Sequence, residues 1–284
     1  MTYSDSALAL TRFIHDRHSV FVLTGAGCST DSGIPDYRDS SGQWKRKPPV
    51  TWQAFVADGE TRSRYWARSM IGWRTFGQAE PNRVHRALAA LEQADKLSLL
   101  VTQNVDGLHQ RAGHQSVVDL HGRLDTVVCL GCSSQTQRQR HQERLEALNP
   151  GWLSHAAAIA PDGDADLESV DFKQFQVPDC QRCGGMLKPD VVFFGESVPR
   201  PRVELAMAAL LRSDAMLVVG SSLMVYSGYR FARAAFERGI PIAAVNLGKT
   251  RADSLLALKI DAPCSESLAP WFSQAARPSR TSPA

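Results

Sequence analysis

Four short apolar runs constrain the fold of this chain more than any other feature. Residues 20–23, 97–102, 215–220 and 241–246 are almost wholly apolar, and helical patterns lie between them. Strands this apolar must be covered on both faces, which points to a parallel, doubly wound sheet wrapped by helices. Residues 81–95 put Val84, Leu88 and Leu91 on one helical face, with Pro81 near the start. Residues 203–212 and 229–238 read as two further helices, and 1–18 as an amphipathic one carrying Leu8, Phe13 and Ile14. The fold class is therefore α/β. In such sheets ligands gather beyond the carboxyl ends of the strands. Polar residues fall there four times, at 24–29, 103–106, 221–222 and 246–248.

The first run empties into Thr24-Gly25-Ala26-Gly27-Cys28-Ser29 and then Gly33-Ile34-Pro35-Asp36-Tyr37-Arg38. A Gly-Ala-Gly turn can bring backbone N–H groups close to a phosphate, and it can equally be a structural strand-to-helix turn. Thr30 stands where a dinucleotide fingerprint has its third glycine, and no acidic residue closes a second strand some 20 residues on. Both departures weigh against hydride transfer. Gln103-Asn104-Val105-Asp106 can hold ribose hydroxyls and a water, or form a local Asn/Asp turn. His121, in Asp119-Leu120-His121-Gly122, is open to a general-base role or to packing as an ordinary histidine.

Two segments break the α/β rhythm. Residues 40–80 hold Trp44, Trp52, Trp66 and Trp73 with Tyr65 and Phe76, and read as a helical insertion. Residues 126–188 hold Cys129-Leu-Gly-Cys132 and Cys180-Gln-Arg-Cys183. Each pair offers two thiolates from one tight turn, and two such turns build a tetrahedral zinc site with no open position. The span between the pairs exceeds the usual ribbon spacing, so the chain must make an excursion, with a turn at 161–164. Two disulfides or a redox pair are the alternatives; disulfides fit an intracellular chain poorly. Cys28 and Cys264 stand apart, and Cys28 reads as a small packed residue.

Composition excludes more than it selects. A formal charge of +3 without a polybasic run argues against nucleic acid, and no apolar stretch suits a membrane helix. Asp5 and Asp16 make the N-terminus unlike a secretory or transit segment, so a soluble cytoplasmic protein is expected. Residues 275–284 read as a disordered tail.

Taken together, the segments resemble the sirtuins, the NAD-dependent protein-lysine deacylases. The resemblance rests on Gly25-Ala-Gly-Cys-Ser29, Ser32-Gly-Ile-Pro-Asp-Tyr-Arg38, Thr102-Gln-Asn-Val-Asp106 with Leu108-His109, Leu120-His-Gly122, both cysteine pairs, Lys188-Pro-Asp-Val-Val-Phe-Phe-Gly-Glu196, Gly220-Ser-Ser-Leu223 and Val245-Asn-Leu-Gly248, in the family's order over nearly the whole chain. It implies a Rossmann-like large domain from 1–39, 81–125 and 189–274. A small domain would combine the 40–80 helical module with the 126–188 zinc module. NAD as co-substrate and an acyl-lysine protein or peptide would meet in the cleft between them, and one structural zinc would sit apart.

The resemblance also assigns residues. Gly25, Ala26, Gly27, Ser29, Gly220, Ser221 and Ser222 would line the pyrophosphate. Asp36 and Arg38 would order the cofactor loop, with Tyr37 standing where the family usually has Phe. Gln103, Asn104 and Val105 would contact ribose or water, and Asp106 the nicotinamide carboxamide. Asn246, Leu247 and Gly248 would hold the adenosine ribose, with Cys264 near the adenine. Val191, Val192, Phe193, Phe194 and Gly195 would pair with the peptide and wall the lysine tunnel. Catalysis would use His121, Asn104 and Asp106: the acyl oxygen attacks the anomeric carbon as nicotinamide leaves, His121 takes a ribose hydroxyl proton so that the 2′-oxygen attacks the imidate, and water then completes release of O-acyl-ADP-ribose and free lysine. Cys129, Cys132, Cys180 and Cys183 would hold zinc. The branch resembles class II, the mitochondrial-type and bacterial lipoamidase-like sirtuins. Tyr65 and Arg68 match the pair with which desuccinylating sirtuins clamp an acidic acyl group. Protein mono-ADP-ribosylation on the same site, or a non-catalytic nucleotide-sensing module, are the competing functions.

Overall fold

The computed structural model describes residues 3–45, 49–155, 160–165, 167 and 170–271, so the tail expected to be disordered lies outside the described residues. The strands are β1 Val20–Thr24, β2 Leu97–Thr102, β3 Val117–Asp119, β4 Gly122–Cys129, β5 Gln135–Gln137, β6 Leu187–Val191, β7 Ala215–Val219, β8 Ile242–Val245 and β9 Leu258–Ile260. The helices are α1 Tyr3–His15, α2 Trp52–Ala57, α3 Gly59–Phe76, α4 Arg83–Gln93, α5 Leu108–Arg111, α6 Arg138–Leu148, α7 Arg200–Leu210, α8 Tyr226–Glu237 and α9 Cys264–Ser267.

Six strands form one parallel sheet in the order β3-β2-β1-β7-β8-β9. Renumbered within the sheet, that is the Rossmann order, with its switch point between β1 and β7. Alternate side chains explain the continuous apolar runs. Val20 and Val22 join Leu10, Ile14, Leu88 and Leu91 on one face, while Phe21 and Leu23 join Ala206, Leu210, Phe231 and Ala235 on the other.

A second sheet, β5-β4-β6, is antiparallel and packs with α2, α3 and α6. It pairs Gly122 with Val191 and Cys129 with Leu187, so it straddles the 125/126 and 188/189 boundaries expected from sequence. The consequence is functional: β4 leaves directly from His121, and His121 O accepts from Val192 N at 2.8 Å. Only glycine allows that start. Gly122 has φ +80°, and a Cβ there would lie 2.0 Å from Asp190 O.

Helix bounds differ from expectation for local reasons. The Asn82 carboxamide accepts from Val84 N and His85 N, so α4 begins after Pro81 rather than at it. Helix α8 begins at Tyr226, nearly one turn before position 229, which brings Ser227 into its first turn. Helix α6 is not visible in the sequence because it buries Arg138, His141 and Gln142 as well as Leu145, a set with no apolar period.

Candidate active site

The loops after β1 and β7 meet at the switch point through bare backbone. A Cβ on Gly25 would sit 2.8 Å from Gly220 O, one on Gly27 2.9 Å from Gly220 Cα, and one on Gly220 2.4 Å from Cys28 N. Gly25 N donates to Val219 O at 3.1 Å and Gly27 N to Gly220 O at 2.9 Å. Two of the turn's N–H groups are thus committed to the fold. The close approach of the two backbones is thus a second reason for glycine at 25 and 27, beside their place in the cavity lining. Ala26, Ser221 and Ser222 line the cavity beside them.

That cavity, about 730 Å³, opens between the two sheets. Every residue assigned to the cofactor lines it except Gly248 and Cys264, and every substrate residue except Arg68. Its polar floor is a closed network. Ser29 Oγ donates to Asp106 Oδ2 at 2.7 Å and accepts from Asn104 Nδ2 at 3.0 Å, while Asn104 Nδ2 also reaches Gly25 O at 3.1 Å. Gln103 Nε2 donates to Ser221 Oγ at 2.7 Å. Burial raises the Asp106 carboxyl above its ordinary range, opposed by hydrogen bonds from Leu108 N and Ser29.

His121 stands at the junction of the sheets. Its Nδ1 lies 2.9 Å from Gln103 O, and a carbonyl only accepts, so Nδ1 carries the proton. Nε2 then accepts from the Ser227 hydroxyl at 2.8 Å. Loss of water pushes the imidazole down to about 4, with Arg202 and Arg230 pushing the same way and the Gln103 carbonyl opposing. The result is a neutral histidine at pH 7 whose lone pair already faces a hydroxyl, as a general base requires. Ser227 is a residue that sequence alone does not single out. In the sequence it enters only as the end of the segment 220–227, part of the class II resemblance, with no role assigned, and Gly228 beside it approaches Gln103 so closely that a Cβ would lie 2.4 Å from Oε1.

The wall of the cavity formed by residues 191–196 is held from behind. The buried Lys188 ammonium contacts the Glu196 carboxylate at 2.8 Å and Val191 O at 2.6 Å, and Glu196 accepts from Phe193 N at 2.9 Å. Trp52 N donates to Phe194 O at 2.8 Å. Strand β6 stops at Val191, and the chain turns, Glu196 N donating to Phe193 O at 3.0 Å. Phe193 stacks on Phe55 at 4.9 Å and meets Tyr65 edge-on at 5.3 Å. The cofactor loop docks on this wall: Arg38 lies 4.1 Å over Trp44, whose ring meets Phe194 at 5.6 Å and Tyr37 at 6.0 Å, and Asp36 pairs with Lys45.

Away from the cavity, the sulfurs of Cys129, Cys132, Cys180 and Cys183 lie within 4.8 Å of one another. Two approaches join opposite pairs, Cys129 to Cys183 at 3.5 Å and Cys132 to Cys180 at 3.8 Å. A tetrahedron with Zn–S of about 2.3 Å has edges of about 3.8 Å, so the four thiols fit zinc. All six cysteines are unbonded, which removes the disulfide alternative.

The sequence profile of the Sir2 family matches residues 25–227. The chain belongs to the Sir2 family. It is 62% identical over 261 residues to an NAD-dependent protein deacetylase of Bordetella bronchiseptica, covering 92% of this chain and 95% of that one. It is 48% identical to the bovine (Bos taurus) mitochondrial NAD-dependent protein lipoamidase sirtuin-4, covering 91% and 83%. A solved Sir2–p53 peptide–NAD+ complex superposes with a TM-score of 0.73 at 28% identity, covering 96% of this chain and 98% of that one.

Three assigned residues are placed elsewhere than expected. Cys264 packs in the core with Cys28, its sulfur 3.8 Å from Val245 O. Gly248 packs against the cofactor loop, where a Cβ would lie 2.2 Å from Ser40 O. Arg68 turns from the cavity: its Nε donates to Ala165 O at 2.8 Å and lies 3.9 Å from Asp164. Tyr65 does line the cavity, so the two do not converge on it, and the carboxylate clamp is not assembled. Pro161 and Asp162, from the zinc-module excursion, occupy that part of the wall. Spacing on a helix fixes the shared face of Tyr65 and Arg68, but not the segment that docks there.

Proposed function

We propose that this Sir2-family protein is an NAD-dependent protein-lysine deacylase. The observation that carries the reading is the neutral His121, with Nε2 presented to a hydroxyl in the same cavity as Asn104 and Asp106. The names of the deacetylase and lipoamidase relatives support it. NAD would be the co-substrate, supplying the sugar that receives the acyl group and the nicotinamide that leaves. The residues present suit it. Ala26, Ser221 and Ser222 flank a turn where backbones are bare, and Asn104 and Asp106 offer a carboxamide and a carboxyl to polar edges.

In this reading Gln103 O fixes the His121 tautomer, and Nε2 exchanges the Ser227 hydroxyl for a ribose hydroxyl and removes its proton. The Ser29–Asn104–Asp106 network is set before ligand arrives, so little reorganisation is needed. The Lys188–Glu196 lock and the Trp44–Phe194 contact hold the wall beside the reacting groups in place. Acyl-lysine peptides would lie along 191–195. The four thiolates would hold one structural zinc, remote from the chemistry. The large part of the chain (1–39, 81–125, 189–274) would carry NAD, the modules at 40–80 and 126–188 would form the small domain, and the acyl-lysine would meet NAD in the cleft between them, within a reducing cytoplasm suited to free thiols.

The test is a product balance. The protein, NAD and an acetyl-lysine peptide should give nicotinamide, deacetylated peptide and O-acetyl-ADP-ribose in equal amounts by mass spectrometry. Nicotinamide release with mass added to a protein instead would establish ADP-ribosylation, and no consumption of NAD would establish a sensor.

A further inference from the structure

We propose that Arg68 is a positioning residue: it holds the 160–165 turn of the zinc module as one wall of the acyl cavity and does not itself contact the acyl group. The cavity's role rests on the deacylase reading; the docking geometry does not.

Residue 68 meets the turn twice. Ala165 N donates to Arg68 O at 2.9 Å, and Arg68 Nε donates back to Ala165 O at 2.8 Å. The guanidinium also lies 3.9 Å from the carboxylate of Asp164, a residue only 3% exposed. One turn further along α3, the chain has removed every obstacle to this docking. A Cβ on Gly72 would lie 2.0 Å from Gly163 O. Gly163 itself has φ +78°, and its own Cβ would press on Leu124 and Phe76. The turn is closed by Ala160 N to Asp164 O at 2.7 Å and Gly163 N to Ala160 O at 3.0 Å. What projects from it into the cavity is Pro161 and Asp162, beside Tyr65 and Leu124.

The energetics point the same way. Withdrawing Arg68 to bind a ligand carboxylate would leave Ala165 O without its side-chain donor, and would remove one of the arginine charges that oppose the raising of the Asp164 carboxyl by burial and Asp162. A clamp needs a guanidinium free to face the acyl end. The Nε of this one is engaged by the wall behind it. Loss of Arg68 should therefore move the wall for every acyl group alike, whatever its charge.

The experiment uses Arg68→Met and, as an independent perturbation of the same docking, Gly72→Ala. Peptides carrying butyryl- and succinyl-lysine, equal in chain length and different in charge, are compared at saturating NAD. The expected result is a rise in peptide KM of about fivefold or more, by the same factor for both acyl groups in both variants, with the NAD KM within about twofold of the parent. Amide hydrogen exchange at Ala165 and Gly163 should quicken about tenfold or more in both variants. A loss confined to succinyl-lysine in Arg68→Met, equal rises in the peptide and NAD KM values, or unchanged exchange at Ala165 would overturn the proposal. Should the parent protein process no acyl peptide, the deacylase reading fails, and the exchange measurement still decides whether Arg68 holds the turn.

Discussion

A histidine that takes a proton at neutral pH has to be unprotonated beforehand, and removal from water does this for His121. Its imidazole is held at about 4, below the ordinary 6.5, so it is neutral at every pH above about 5. The sign follows directly: acidification disables the base only as pH falls toward 4. A pH profile of kcat/KM should then show no loss with a midpoint near 6.5, and a midpoint there would mean an exposed, ordinary histidine. Sequence could nominate His121 but not choose it among eight histidines. What distinguishes it is a pair of contacts, Gln103 O on one nitrogen and Ser227 on the other, made across 18 and 106 residues of chain. Arg68 shows the reverse failure. Its spacing from Tyr65 was legible, but the turn that takes its guanidinium comes from 97 residues away.

The elements were legible where physics is local. The continuous apolar strands follow from burial on both faces, and their parallel arrangement follows from the helices between them. The sheet order was not legible, because it is set by crossovers, and neither was α6, whose buried face is polar. The glycines of the switch point were visible as a motif but not as a contact. Gly220 and Gly33 separate the two roles. Both have positive φ, +62° and +82°, but Gly220 abuts Cys28 N, while nothing lies within 4 Å of a Cβ on Gly33. Gly33→Ala should cost only about 1 kcal/mol, the left-handed penalty. Gly220→Ala should cost about 3 kcal/mol or more and weaken NAD binding about tenfold or more, because two loops must separate. Thermal unfolding and titration calorimetry check this, and equal costs at the two positions would contradict the backbone contact.

At the scale of the molecule, the four-cysteine cluster and His121 are mechanically joined through one sheet. Strand β4 begins at Gly122, next to His121, and ends at Cys129, while β6 begins at Leu187 and leads to Val192. The four-cysteine cluster should bind one zinc per chain. Cys180→Ser should lose it, lower the unfolding temperature and reduce acyl-peptide turnover, although no cysteine of the cluster touches the cavity; metal analysis beside activity reads both. Zinc loss with full turnover would uncouple the two sheets. Those couplings serve one claim, that the cavity is built around a neutral His121 able to accept a proton. The most direct test is His121→Ala, followed by acetyl-peptide deacylation and by NAD titration on the same preparation. Deacylation should fall by about 10²–10⁴-fold with the NAD Kd within about threefold of the parent. A variant that binds NAD and still deacylates at the parent rate would contradict the account.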